Sequence, residues 1–210
     1  MIIGPLLIFS CPHCHTSVMQ ASHSSNNDIG AVYYSDGSLR GPMYVKGNKV
    51  ALCAKCASFY WLNKDNQVAS IDWEDLPDEC PVPFAQALSL SACKQALESS
   101  FFQNREEELY LRNHYWQLFN HTRRLKQPDA NNKSLFAFWE QNCRALIQLQ
   151  VNQAHSTLIV AELHRNLGAF DNCRRLLSTA NSKDQACIRE QLLQACDAGN
   201  RYQIALQGPR

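Results

Sequence analysis

No stretch of this chain approaches the ~20 consecutive apolar residues that a helix needs to cross a bilayer, so no membrane-spanning segment is expected. Also missing are a glycine-rich phosphate loop, a nucleophile elbow and a paired-carboxylate motif, so no enzymatic activity is expected. Net charge is nearly absent: 20 Lys and Arg stand against 19 Asp and Glu, and a formal +1 provides no global field to recruit nucleic acid or acidic lipid. The apolar start, Met1 to Ser10, has no basic region before it, is broken by Gly4-Pro5 and meets Cys11 without a small-residue cleavage site. It is therefore not read as a secretion signal, and a cytoplasmic protein is expected. In a reducing compartment, paired cysteines are metal ligands more often than disulfides.

Cysteine is what the chain has in quantity, with 10 in 210 residues. Two Cys-x-x-Cys pairs stand out, Cys11-Pro12-His13-Cys14 and Cys53-Ala54-Lys55-Cys56. Each follows a short strand-like run, Leu6–Phe9 before the first and Val50–Leu52 before the second, and Ser58–Leu62 returns after the second. Four thiolates on two such turns suit the tetrahedral coordination of Zn²⁺, at ~2.3 Å per sulfur. Cys11, Cys14, Cys53 and Cys56 are the expected ligands. A site closed by four sulfurs leaves no position for substrate or water, so the zinc is expected to be structural. His13 and His15 bracket Cys14 and are alternative ligands, although exposed histidines are the plainer reading. Lys55 and backbone N–H groups are the expected partners of the thiolate charge. Glycine commonly follows the second cysteine of such a turn; here His15 and Ala57 hold those places.

Two other chemistries share these residues. Cys11-Pro12-His13-Cys14 resembles the active-site motif of DsbA-type thiol oxidoreductases, but that fold needs a helix next, and His15 to Asp28 is a poor one. Nucleic-acid binding, common among zinc ribbons, needs a basic surface, yet residues 1–80 carry five Lys and Arg against eight Asp and Glu. Nucleic acid is therefore not the expected partner. The basic run Arg123-Arg124-Leu125-Lys126 reads as a dipole-complementing helix end. Cys93, Cys143, Cys173, Cys187 and Cys196 read as small core residues, with Cys80 as a spare thiol. His155, Glu162 and His164 do not share one narrow helical face and read as surface residues.

The pattern changes along the chain. Gln20 to Asp28 reads as an exposed loop, and Asp36-Gly37 between β-favouring runs predicts a hairpin. Pro77, Pro81 and Pro83 mark a boundary, giving a zinc-ribbon-like β domain over 1–78 and a helical domain over 79–210, an α+β chain. Helices are expected over Phe84–Ser99, Asn104–Leu125 and Lys133–Gln150. After a break at Val151–Gln153, with one continuous helix over 133–167 as the alternative, others are expected over His155–Leu167, Phe170–Ala180 and Asp184–Asp197. No strand is expected among them.

The phrase from Ala161 to Cys173, with Gly168, Phe170 and Cys173 at its junction, resembles the inter-helix turn of a tetratricopeptide repeat, echoed at Ala198–Tyr202 without a 34-residue period. The N-terminal third, with Tyr34-Ser35-Asp36-Gly37 and Gly41-Pro42-Met43, resembles uncharacterised bacterial proteins that join a zinc-ribbon-like module to a helical tail. That resemblance implies fold and metal but no activity. A non-enzymatic zinc protein whose helical domain binds another protein is the reading it supports; a nucleic-acid-binding regulator and a thiol oxidoreductase are the alternatives.

Overall fold

The computed structural model describes residues 2–25, 27–77, 79–150, 156–180 and 185–207. Its strands are β1 (Ile2–Ser10), β2 (Ser17–Ser25), β3 (Val32–Tyr34), β4 (Leu39–Arg40), β5 (Val50–Leu52), β6 (Phe59–Trp61), β7 (Gln67–Ile71) and β8 (Ala205–Leu206). Its helices are α1 (Leu90–Glu98), α2 (Arg105–Arg124), α3 (Lys133–Gln150), α4 (Thr157–Asn166), α5 (Phe170–Thr179) and α6 (Ala186–Asp197). A small antiparallel β region thus precedes a helical region, the α+β class the pattern predicts. The chain forms two compact units: Met1–Ala31 with Arg40–Ala92, and Val32–Leu39 with Cys93–Arg210. The sequence boundary at 78/79 differs from this division on both counts, because the Asp36-Gly37 hairpin belongs with the helices and the chain up to Ala92, including the first residues of α1, belongs with the strands.

In the first unit, β1 is the centre of an antiparallel sheet of order β2-β1-β7, and β5 pairs antiparallel with β6. Leu6-Leu7-Ile8-Phe9 supplies the branched and aromatic side chains that suit a pleated surface. Gly4-Pro5 coincides with irregular register between Ile3 and Leu6, as glycine and proline inside a strand commonly do. The stretch Gln20 to Asp28, expected as a loop, is strand as far as Ser25. Its weak β propensity is overridden by pairing with β1, and Ser22 donates its hydroxyl to the Pro5 carbonyl at 2.6 Å. Phe84 does not begin a helix. The prolines keep residues 83–85 extended beside β2, where Met19 N–H donates to Pro83 O at 2.9 Å and Ala85 N–H to Met19 O at 2.8 Å. Helix α1 starts only after Ser89, whose hydroxyl accepts from Ala92 N–H at 3.2 Å.

In the second unit, α2 opens on Asn104, whose side chain accepts from Glu107 N–H at 2.9 Å, with Glu106, Glu107 and Glu108 in the first turn. Its Tyr115 and Phe119 pack on α3 through Phe138 and Trp139, at ring separations of 5.0 and 5.4 Å. Helix α3 packs on α4, α4 on α5, and α5 on α6. The last three close a core of Ala161, Cys173, Leu177, Leu192 and Cys196. Cys93 and Cys143 are also buried, whereas Cys187 and Cys80 are half-buried. The junctions are Schellman caps: Gly168, at φ 79°, donates to Arg165 O while Ala169 donates to His164 O, and Gly199 with Asn200 repeats the pattern on Cys196 and Ala195. The expected break at Val151–Gln153 and the helix starts at His155 and Asp184 lie outside the described residues. The expectation of a strand-free tail is corrected: β8 pairs antiparallel with β3, Tyr33 opposite Leu206 and Tyr34 opposite Ala205. A two-residue strand is too short for periodicity to announce.

Candidate metal centre

Both Cys-x-x-Cys pairs sit at the tips of hairpins, the first between β1 and β2 and the second between β5 and β6. The two turns have the same wiring. Cys11 N–H donates to Thr16 O and His15 N–H to Cys11 O; Cys53 N–H donates to Ser58 O and Ala57 N–H to Cys53 O, each at 2.9 Å. His15 and Ala57 take the left-handed conformation, φ 59° and 56°, at the place where glycine is usual. Both turns therefore accept a strained residue to bring their sulfurs round.

The four sulfurs converge. Cys11, Cys14, Cys53 and Cys56 Sγ all lie within 4.8 Å of one another, an arrangement that can hold a metal ion. Cys11 Sγ is 3.7 Å from Cys56 Sγ, and Cys14 Sγ is 3.5 Å from Cys53 Sγ. Each close pair takes one sulfur from each turn. Cys11 and Cys53 are buried, packed with Phe9, Val18, Ala51 and Tyr60; Cys14 and Cys56 reach the surface. His13, His15 and Lys55 are exposed, and neither histidine belongs to the four-sulfur cluster.

The electrostatics split along the same line. Burial pushes the Cys11 thiol up to about 11. The Thr16 hydroxyl, 3.4 Å away, and then the Thr16 N–H lower Cys14 to about 6. Ser58 lowers Cys56 by its hydroxyl and N–H in the same manner. Thr16 and Ser58, each two residues after the second cysteine of its pair, are the polar partners of the outer thiolates through hydroxyl and backbone N–H alike, the N–H groups being of the kind expected beside Lys55. Tyr60, buried beside the cluster, is raised to about 12 by burial and by the nearby thiolates. The local chemistry favours thiolate at Cys14 and Cys56 and thiol at Cys11 until a cation compensates its charge.

A second buried constellation escaped sequence reading. Asp36 is 1% exposed, and its carboxylate accepts from Ser38 N–H and hydroxyl at 3.0 and 2.6 Å, from Asn120 at 3.1 Å and from Gln203 at 2.7 Å. Glu162 and Arg165, both fully buried, form a two-pronged ion pair at 2.7 and 2.6 Å. Ser35 hydroxyl donates to Glu162 at 2.7 Å, and Arg165 also donates to the carbonyls of Asn200 and Tyr202. Asn166 joins the two halves by donating to Glu162 and accepting from Asn120 and from the Trp116 indole. Burial raises the Glu162 carboxyl and Arg165 opposes that shift. Glu162 is thus an internal residue rather than a surface one. His164 is lowered by burial, and His155 lies outside the described residues.

Among the described residues no helix is long and apolar enough to cross a membrane. Compared with protein-family models, with curated proteins and with solved structures, the chain matches none.

Proposed function

We propose that this is a non-enzymatic zinc protein in which Zn²⁺ on Cys11, Cys14, Cys53 and Cys56 holds the β unit together while the helical unit serves as a docking module for another protein. The observation that carries the metal is the pair of equivalently wired turns delivering four sulfurs to one point. A zinc tetrahedron with ~2.3 Å Zn–S bonds has S–S edges of ~3.8 Å, and the two close pairs stand at 3.7 and 3.5 Å. An all-sulfur donor set favours a soft or borderline cation over magnesium or calcium. Zinc coordinated by four thiolates supplies cross-linking and charge compensation, with no open position for catalysis. Thiols kept available for metal fit a reducing, cytoplasmic setting.

The helical unit contributes the interaction reading, in keeping with the suspected kinship to bacterial zinc-ribbon and helical-tail proteins with tetratricopeptide-like junctions. Successive helices pack in order, and its surface carries Arg and Tyr, residue types enriched where proteins dock. Tyr202 is 57% exposed with Arg123 over its ring at 4.4 Å, and the exposed Arg124 lies over the buried ring of Tyr34 at 4.9 Å. The thiol-oxidoreductase alternative loses support because β2, and not a helix, follows Cys14. Metal analysis of purified protein tests the first half: about one equivalent of zinc is expected from a single four-ligand site, and less than half an equivalent sinks it. Affinity capture with the full chain tests the second: one partner retained by wild type and lost by Tyr202→Ala with Arg124→Ala supports it, and no saturable partner refutes it.

A further inference from the structure

The β unit, Met1–Ala31 with Arg40–Ala92, carries five Lys and Arg against seven Asp and Glu. That acidic balance hides how the charges are arranged. One groove of about 440 Å³ is lined by Lys46, Lys49 and Lys64, and no Asp or Glu is among its lining residues. Three of the five cations therefore frame a single concavity, with Asp65, bonded to the lining Asn63, standing just behind its rim. The groove has an apolar floor of Leu7, Phe9 and Leu62, and the half-exposed ring of Tyr44 stands in its wall.

We infer that this groove binds single-stranded nucleic acid, with phosphates at the three lysines and a base over the Leu7–Tyr44 floor. The lysines select an anion, and an ammonium is a phosphate-binding point charge with three rotatable donors. The floor requires that the anion carry an apolar portion, and a volume in the usual ligand range accommodates a nucleotide. Sheet topology decides between a base and a peptide. Leu7 and Phe9 stand on the central strand β1, whose two edges are occupied: Leu7 faces Gln20 of β2, and Phe9 faces Gln67 of β7. The groove floor thus lies over the face of β1, where an added peptide strand finds no edge of that strand to pair with, whereas a flat base needs only a face. Lys46, Lys49, Lys64 and Gln67 are exposed, so an isolated nucleotide is only partly enclosed, and a strand continuing past the rim gains what a free nucleotide does not. Phe9, Leu7 and Leu62 also belong to the cluster around Cys11 and Cys53, so the metal core supports the groove floor.

Fluorescence anisotropy of labelled oligo-dT and oligo-U with the full zinc-loaded chain tests the inference. Wild type is expected to bind at low salt, with log K falling against log salt at a slope of about −2 for three phosphates. The triple variant Lys46→Ala, Lys49→Ala, Lys64→Ala should lose most of that slope and at least about tenfold in affinity. Tyr44→Ala should lose about tenfold with the slope unchanged, and it keeps the test valid should the triple variant fold poorly. Lys133→Ala, on α3, should behave as wild type. The inference is overturned by absence of binding at low salt, by equal losses in Lys133→Ala, or by displacement of the strand by poly-glutamate as readily as by poly-U. It is equally overturned if AMP binds as tightly as the strand, which would make a free nucleotide the ligand. Zinc content, measured on the same samples, reports separately on the metal site.

Discussion

The β unit and the helical unit each fasten distant segments of chain at one buried polar point, but by opposite means. In the β unit, two hairpin tips 39 to 45 residues apart meet through four sulfurs that repel one another once ionised and are arranged so that one cation can join them. In the helical unit, the Asp36 turn, α2, α4 and the segment 200–203 meet through complementary hydrogen-bonding groups, with Gln203 Oε1 left buried without a partner. The difference teaches where each unit is vulnerable. The first depends on metal and redox state; the second depends on keeping every partner in place, because a half-satisfied buried network costs more than an apolar core.

Removing the metal should separate the two units most sharply. Structural zinc contributes on the order of 10 kcal/mol to small four-ligand domains, which is more than a unit of this size retains without it. A strong chelator, or Cys53→Ser, is expected to collapse protection from hydrogen exchange over β1, β2, β5 and β6 while α2–α6 keep theirs. Uniform loss in both units would break the contrast. Acidification should act in the same direction. Metal binds thiolates, so protons compete with it at Cys11 from about pH 11 downward, and the Cys14 sulfur, held down to about 6, joins that competition as pH falls through that value; metal retention should therefore decline more steeply below pH ~6 than above it. Metal release followed as a function of pH gives the check.

The ion pair of the helical unit ranks next. Arg165→Leu leaves Glu162 buried without its cation and frees the carbonyls of Asn200 and Tyr202, a loss of about 3–5 kcal/mol. Chemical denaturation of the zinc-loaded chain should show the helical transition shifted by that amount and metal content unchanged. Asp36→Asn is expected to cost less, about 1–3 kcal/mol, since the amide keeps one acceptor and sets its NH₂ against existing donors. If both substitutions are silent, the network is not what holds the 32–39 hairpin.

The two fastenings were unequally legible in the sequence, for a physical reason. The metal set is written as a local spacing, Cys-x-x-Cys twice, because one turn must supply two ligands at fixed separation; the strands before it and the Asp36-Gly37 turn were legible in the same local way. The network has no such spacing. Ser35, Asp36, Glu162, Arg165 and Gln203 are single polar residues whose partners lie up to 169 residues away, as in the Ile204 N–H bond to Ser35 Oγ, and Glu162 looks like any solvated helix position. The same limit hid β8 and the strand character of Gln20 to Ser25, both created by a partner strand rather than by composition. It also hid the lysine groove, since a count of charges carries no information on where they gather.

The smallest effect sharpens the comparison at the level of the backbone, because both units place non-glycine residues where glycine belongs. His15 and Ala57 end the two metal turns at φ 59° and 56°, and Lys126 ends α2 at φ 53° in a Schellman cap, donating to Arg123 O while Gln127 donates to Thr122 O. A side chain costs about 1 kcal/mol in this conformation, and glycine relieves it at the expense of some unfolded-state entropy. Lys126→Gly should therefore stabilise the helical unit by up to about 1 kcal/mol in zinc-loaded and zinc-free protein alike. His15→Gly and Ala57→Gly should gain a similar amount, about 1 kcal/mol, in zinc affinity and nothing in the zinc-free chain, because that turn is made only when its sulfurs are held. Zinc competition titrations beside thermal melts distinguish the two behaviours. A stability gain for His15→Gly without metal would show that the first turn forms on its own, and that zinc joins two finished hairpins instead of shaping them.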